Sequence, residues 1–582
     1  MQPENRTCQN CKNPFIIETD DFVFYEKMRV PPPTFCPECR MIRRLMWRNN
    51  RSLYKRECAL CKKSVISMYP DDGAPVMCTE CHQGDAWDQY AYAQDIDWTK
   101  NFLTQVYAIF RKQPRVYQYR IGTVINSDYG NSIVNTKDAY LSYSILDSEN
   151  IMYSESVDRS RDSIDSFISQ DLDQCSWNIG GEKNYNSHFL VESQSCIDSY
   201  FLFDCVNCQN CCLSGNLRNQ QYVFKNQKLS KDAYKEAIDN LRLDTRSGFA
   251  AAKGEFDSVM KGSIHKYAQI LSSQNVTGDF ISNSKNVVES FDVTRNSESI
   301  TYSVRILASK DIKDCYAILT GELEYETMSG SGNAAQQIGS FFCLGSHNTE
   351  YSFFCKSSSN CFGCVGLKNA HYCILNKQYT KEEYEMLVPK LRQFMIDTPY
   401  VDAKGRVFAY GEFYPYEFSP FAYNETIVQD YFPITREEAQ KNGYAWKEHE
   451  ERNSSGAVSA SELPDAIGDV PETITNQAIL CAHRGACEYQ CTEMFRIMPR
   501  ELSFYKQKGL PLPELCPNCR HFERLKYRNT MHLYHGTCRC IQENHGHSNP
   551  PAGGCPNTFE TTYAPDRTEK VYCEQCYQKE VL

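Results

Sequence analysis

The sequence predicts a mainly β chain: two β-solenoid-like repeat domains rich in Asn, Ser, Cys and Tyr, with helical caps, flanked by duplicated double zinc-binding modules at the two ends. Three observations predict it. CxxC pairs cluster near both termini, the two ends match each other without a gap, and the middle is written in short alternating phrases divided by Asn, Asp and Ser. At 582 residues the chain is too long for one hydrophobic core, so several domains are expected.

The first module spans 1–84. Cys8 and Cys11 form one CxxC pair and Cys36 and Cys39 a second; Cys58 and Cys61 with Cys78 and Cys81 repeat the arrangement. Each CxxC turn presents two thiolates, and two turns complete a tetrahedral zinc site. A closed tetrathiolate site leaves no position for water or substrate, so its role is structural. In modules this short, metal affinity on the order of 10 kcal/mol or more becomes folding free energy. A disulfide framework is disfavoured, because the start "MQPENRTCQNCK" is polar and lacks an apolar h-region. The same reading predicts a cytoplasmic location, and no run approaches the roughly 20 apolar residues of a membrane helix.

Residues 85–124 read as a mostly helical connector. From 125 to 228, phrases such as "DAYLSYSILDSEN" and "SYFLFDCVNCQN" alternate like strands and close on polar turns, the pattern of a stacked β-solenoid. A helical cap and linker follow (229–277), then a second solenoid (278–378), and then a cap and connector (379–450). The two solenoids end alike: Asn210–Tyr234 aligns with Asn360–Tyr384 without a gap. Ser230 and Thr380 stand where N-caps would, before acidic first turns. Residues 451–480 read as a flexible linker before the last module, 481–582.

That last module matches the first at a constant offset of 480 from Phe24–Cys58 to Phe504–Cys538, and the register extends back to Cys11 and Cys491. It assigns Cys487, Cys491, Cys516 and Cys519 to a third site and Cys538, Cys555, Cys573 and Cys576 to a fourth, about four Zn²⁺ per chain, with iron as the rival metal. Cys481 is surplus or an alternative ligand, and Cys540, His545 and His547 lie in an insertion and compete for the fourth site. Cys205, Cys208, Cys211 and Cys212 either hold an iron–sulfur cluster or are small buried thiols at recurring solenoid positions.

Between the first two sites lies a basic run with interleaved aromatics: Arg40, Arg43, Arg44, Trp47, Arg48 and Arg51. The second copy keeps Arg520, Arg524, Lys526 and Arg528. A helical basic face of this kind is expected to meet phosphates while an aromatic stacks on a base, so RNA or a ribonucleoprotein is one expected partner. The net charge of −11 confines any such contact to a local face. The bland alternative is that these arginines pair with the protein's own carboxylates. A second class of function is a protein-interaction or self-assembly scaffold, since solenoids present long regular surfaces. An enzyme is disfavoured: no P-loop, dinucleotide fingerprint, HExxH or nucleophile elbow occurs, and Asp147, Glu149 and Asp158 read as turn residues.

The pattern C…C…FYxxxxxPxPxxCPxCRxxRxxxRN resembles the zinc-ribbon module of many bacterial proteins. The whole chain is similar to a group of uncharacterised zinc-ribbon repeat proteins from candidate bacterial phyla. The resemblance implies zinc at the eight cysteines of the first module and their counterparts in the last, and it brings no activity with it.

Overall fold

The computed structural model describes residues 2–330, 332–448, 454–541 and 554–582. Two mostly parallel sheets of thirteen strands each dominate its middle, running from Arg120–Ile121 to Gln227–Lys228 and from Ile270–Leu271 to Lys377–Gln378. Around them stand twelve α-helices among the described residues, so the chain as a whole is mixed α/β and not mainly β.

The sheets have a period of twelve residues. Tyr143 pairs with Glu155 and Glu155 with Phe167; His347 pairs with Ser359 and Ser359 with His371. Within each period the backbone turns into the left-handed region at every third residue, as at Asn150, Tyr153, Ser156, Arg159, Asp162 and Asp165. Asn and Asp tolerate that conformation best among residues with a Cβ, which explains their abundance. Serines stitch successive rungs. The Oγ of Ser142 and Ser154 each accept from the main-chain N–H twelve residues ahead, at 3.2 Å and 3.0 Å, and donate to a carbonyl two residues back. Columns of Ile and Val fill the interior, Val287, Val293, Ile300, Ile306, Ile312 and Ile318 in the second sheet, all wholly buried.

The predicted N-caps are present. Ser230 accepts from Ala233 N–H at 3.2 Å before the helix Lys231–Leu241, and Thr380 forms a capping box with Glu383 before Lys381–Asp397. The connector differs from expectation: only Phe102–Lys112 is helical, and 85–101 is irregular. The stretch expected to be a flexible linker carries short 3₁₀ turns at Ala460–Glu462, Ile467–Asp469 and Glu472–Asn476. Leu463, Ile467, Val470 and Ile474 recur there every three or four residues, and their burial against the last module holds the segment down.

The two halves of the middle repeat at an offset of 150 and cross over. Helix Phe102–Lys112 precedes the first sheet but packs on the second, with Phe102 against Phe362 and Phe110 against Phe353. Helix Arg246–Gly262 precedes the second sheet and packs on the first, with Phe249 against Phe189 and Phe256 against Phe201. The terminal modules follow the same twofold logic. Val76–Met77 pairs in parallel with Arg115–Val116, and Lys570–Tyr572 with Ile264–Lys266. Lys368 donates to His82 O at 2.6 Å, and Arg218, 150 residues earlier, donates to the Tyr577 hydroxyl at 2.6 Å. No helix among the described residues is long and apolar enough to cross a membrane.

Candidate metal centres

Each thiolate cluster is built the same way from local structure. In the first, strands Glu4–Thr7 and Pro14–Ile17 form a hairpin whose tip carries Cys8 and Cys11, with Lys12 in the left-handed region (φ 64°) and Cys8 N–H donating to Asn13 O at 2.9 Å. Cys36 is the N-cap of the helix Pro37–Leu45, and Cys39 lies in its first turn. Cys78, Cys516 and Cys573 cap helices in the same manner. The exposed N–H groups and the positive end of the helix dipole at these positions favour the thiolate over the thiol.

Four tetrads result: Cys8, Cys11, Cys36 and Cys39; Cys58, Cys61, Cys78 and Cys81; Cys481, Cys491, Cys516 and Cys519; and Cys538, Cys555, Cys573 and Cys576. Within each, the four sulfurs lie within 4.8 Å of one another. Cys11 and Cys36 are 3.7 Å apart, Cys61 and Cys78 3.9 Å, Cys491 and Cys516 4.0 Å, and Cys555 and Cys573 4.0 Å. A metal–sulfur bond of about 2.3 Å implies an edge of about 3.8 Å for a tetrahedron of thiolates, so each tetrad has the size to hold one metal ion. Hydrogen bonds from the Cys36 and Cys39 thiols hold Cys8 far below the ordinary thiol range, and those from Cys481, Cys491 and Cys519 do the same for Cys516.

The third tetrad corrects one ligand. Leu480 pairs with Met494 and Thr7 pairs with Pro14, which is Met494 less 480, so Cys481 occupies the place of Cys8. The sequence alone gives that role to Cys487, spaced CxxxC from Cys491, although the offset of 480 falls on Glu488. Cys487 instead sits in an inserted loop, its sulfur 3.6 Å from that of Cys519. Cys540 is buried among the fourth tetrad's cysteines, whereas His545 and His547 lie outside the described residues.

The cysteines of the repeats occupy the interior. Cys205, Cys208, Cys211 and Cys212 are at most 1% exposed, and the first three donate weakly to carbonyls two residues back. Cys205, Cys208 and Cys211 take the position that Ser fills in other rungs, because a thiol makes the same bond to the carbonyl two residues back; Cys212 stands in the column of His188 and Tyr200.

The basic run is placed against expectation. Arg40, Arg43, Arg44, Trp47, Arg48, Arg520 and Arg524 are all buried, with exposures of 6% or less. Arg40 meets Asp314 at 2.9 Å, Arg44 meets Glu326 at 2.7 Å, and Arg43 bridges Glu326 (2.6 Å) and Glu412 (2.8 Å). Arg48 donates to Ser329 Oγ at 2.7 Å, and Trp47 stacks on Phe353. In the second copy Arg520 and Arg524 clamp the two oxygens of Asp165 at 2.5 Å each, and Arg520 also reaches Glu501. Asp165 and Asp314 are 149 residues apart, equivalent places in the two repeat domains, and Arg520 and Arg40 lie over the equivalent rings Tyr153 and Tyr302. Arg51 is half-buried and donates to Asn518 at 2.9 Å, Arg528 pairs with Asp292 at 3.2 Å, and Lys526 is exposed beside Glu523. The expected phosphate-facing surface is therefore an internal joint. Its guanidinium groups find buried carboxylates hundreds of residues away, which a local reading of the run has no means to anticipate.

One polar cavity of about 580 Å³ escaped the sequence reading. It lies between the helix Arg246–Gly262, the start of the second sheet and the last module, and Glu192, Asp279, His265 and Tyr563 line it. Burial, reinforced by Asp279 and Asp204, pushes Glu192 up to about 8 against the opposing charge of Arg528. Gln269 donates to Glu192 at 2.6 Å; at the equivalent place in the other half, Tyr119 and Phe342 fill the space ring on ring, 3.9 Å between centroids. No family model and no curated protein matches this chain.

Proposed function

We propose that the chain is a non-enzymatic, zinc-stapled scaffold that locks two β-solenoids into one pseudo-twofold body and offers their regular outer faces to a protein partner. The arginine joints carry this reading. The same residues of each terminal module, Arg40 with Arg44 and Arg520 with Arg524, close on equivalent aspartates of the two repeat domains. The basic run that duplication preserved thus acts as a latch between module and repeat. Zinc is the natural occupant of four all-sulfur tetrads whose edges match a tetrahedron. The twelve-residue register and the left-handed corners support the solenoid reading, in which each rung covers its neighbours.

The outer face of the first repeat domain pairs its own charges in ladders, Lys137 with Glu149, Arg159 with Asp171 and Arg161 with Asp173. A surface neutralised in this way suits a protein partner better than a phosphate backbone. The resemblance to zinc-ribbon repeat proteins is in keeping with a binding role. Filter binding of the purified, metal-loaded protein to single-stranded RNA at about 0.15 M salt tests the choice, and no retention is expected. Salt-dependent retention that Lys526→Glu abolishes would return the reading to RNA.

A further inference from the structure

We propose that the last module holds a second metal ion beside its first tetrad, bound by His483, Cys487 and a thiolate of Cys519 shared between the two ions. The inference rests on the tetrads being metal-loaded, and it goes beyond them. Two residues separate Cys8 from Cys11, whereas nine separate Cys481 from Cys491, so the loop carries seven extra residues. Two of the residues in that loop are His483 and Cys487. The hairpin register leaves them unused by the tetrad, since Cys481 and Cys491 already occupy the places of Cys8 and Cys11.

Their geometry is that of ligands. The ligand atoms of His483, Cys487 and Cys519 all lie within 4.8 Å of one another. The 3.6 Å between the Cys487 and Cys519 sulfurs is close to the roughly 3.8 Å edge expected around one zinc-sized ion. An independent sign comes from the imidazole. His483 Nδ1 is shielded from water and has no hydrogen-bond partner, although buried nitrogen lone pairs are almost always satisfied. A metal ion supplies the missing partner.

Three protein ligands leave a fourth position open. Cys487, one of the three ligands, lines a cavity of about 600 Å³ together with Cys491, Arg51, Tyr129, Tyr140 and Lys447. The ion is of the borderline class that imidazole and thiolate select, zinc foremost, with water or a small anion completing the shell. Binding displaces the Cys487 thiol proton to solvent, because only the thiolate ligates.

Elemental analysis of the full chain tests this. Wild type is expected to hold five zinc ions, and both Cys487→Ser and His483→Ala four, with the circular dichroism spectrum unchanged. His483 is only half-buried, so its variant serves if Cys487→Ser misfolds. Four ions in wild type and four in both variants would overturn the second ion and leave the tetrads standing. Four in wild type and three in Cys487→Ser would make Cys487 a ligand of the tetrad itself, which also overturns it. Fewer than four in wild type would remove the tetrad reading and this inference with it.

Discussion

At the scale of single residues, the costliest groups in the molecule are its buried charges, and nearly all are paired. Three carboxylates and three guanidinium groups meet at the first joint and two of each at the second, and such clusters stand only when every member is satisfied. Glu192 is different in kind: it faces a cavity, and its neighbours Asp279 and Asp204 are of the same sign, so burial and repulsion keep it protonated up to about pH 8. Its folded pKa lies above its unfolded value, and the native state therefore binds the extra proton between about pH 4.5 and pH 8. The corresponding stability is present below the unfolded pKa and is lost as pH rises through that window, at about 1.4 kcal/mol per pH unit. Glu192→Gln removes one proton of this dependence. Urea unfolding midpoints measured at pH 5, 6, 7 and 8 should show the variant gaining on wild type as pH rises. Parallel curves would mean that the carboxyl is ionised in the folded protein.

At the scale of elements, the repeat rungs were legible because their local chemistry is local. Asn, Asp and Ser mark the left-handed corners, and the columns at Ser142, Ser154 and Ser166 recur with the same period as the strands. Less legible were the corners occupied by large apolar residues. Trp177, Phe189 and Phe201 also have positive φ, a strained choice that outward stacking against one another and against Phe249 repays. The caps belong to the legible set, and they differ in strength. Ser230 satisfies one helix N–H, whereas Thr380 and Glu383 satisfy two backbone groups reciprocally. Thr380→Ala and Ser230→Ala are each expected to cost about 1 kcal/mol, as read from chemical denaturation, because each removes one side-chain acceptor. Glu383→Ala reads the other arm, because the Glu383 carboxylate accepts from the residue 380 main-chain N–H that Thr380→Ala keeps; no cost there would mean that this arm contributes nothing. The ligand misassignment at Cys487 has the same origin as the missed joints: cysteine spacing along the chain carries no knowledge of which strand pairs with which.

At the scale of the whole molecule, the order along the chain is module, repeat, repeat, module, yet packing connects first to third and second to fourth. The arginine helix Pro37–Leu45 closes on Asp314 and Glu326 of the second repeat domain, and Pro517–Leu525 closes on Asp165 of the first. Contacts so distant in sequence carry a large loop-closure cost, which the buried joints and the metal sites must jointly offset. Asp314→Asn isolates one joint. It leaves Arg40 wholly without its ion pair and Arg44 with Glu326 alone, and losing one partner of a buried charge cluster costs about 3–5 kcal/mol. The loss is expected to be local before it is global. Native-state hydrogen exchange on the variant should rise in residues 37–57 and 304–329, while 143–167 and 517–525 keep their protection, because the second joint at Asp165 is intact. Asp165→Asn should produce the mirror pattern. If Asp314→Asn instead loosened the first repeat domain next to the amino-terminal module in sequence, the crossed arrangement of modules and repeats would be wrong.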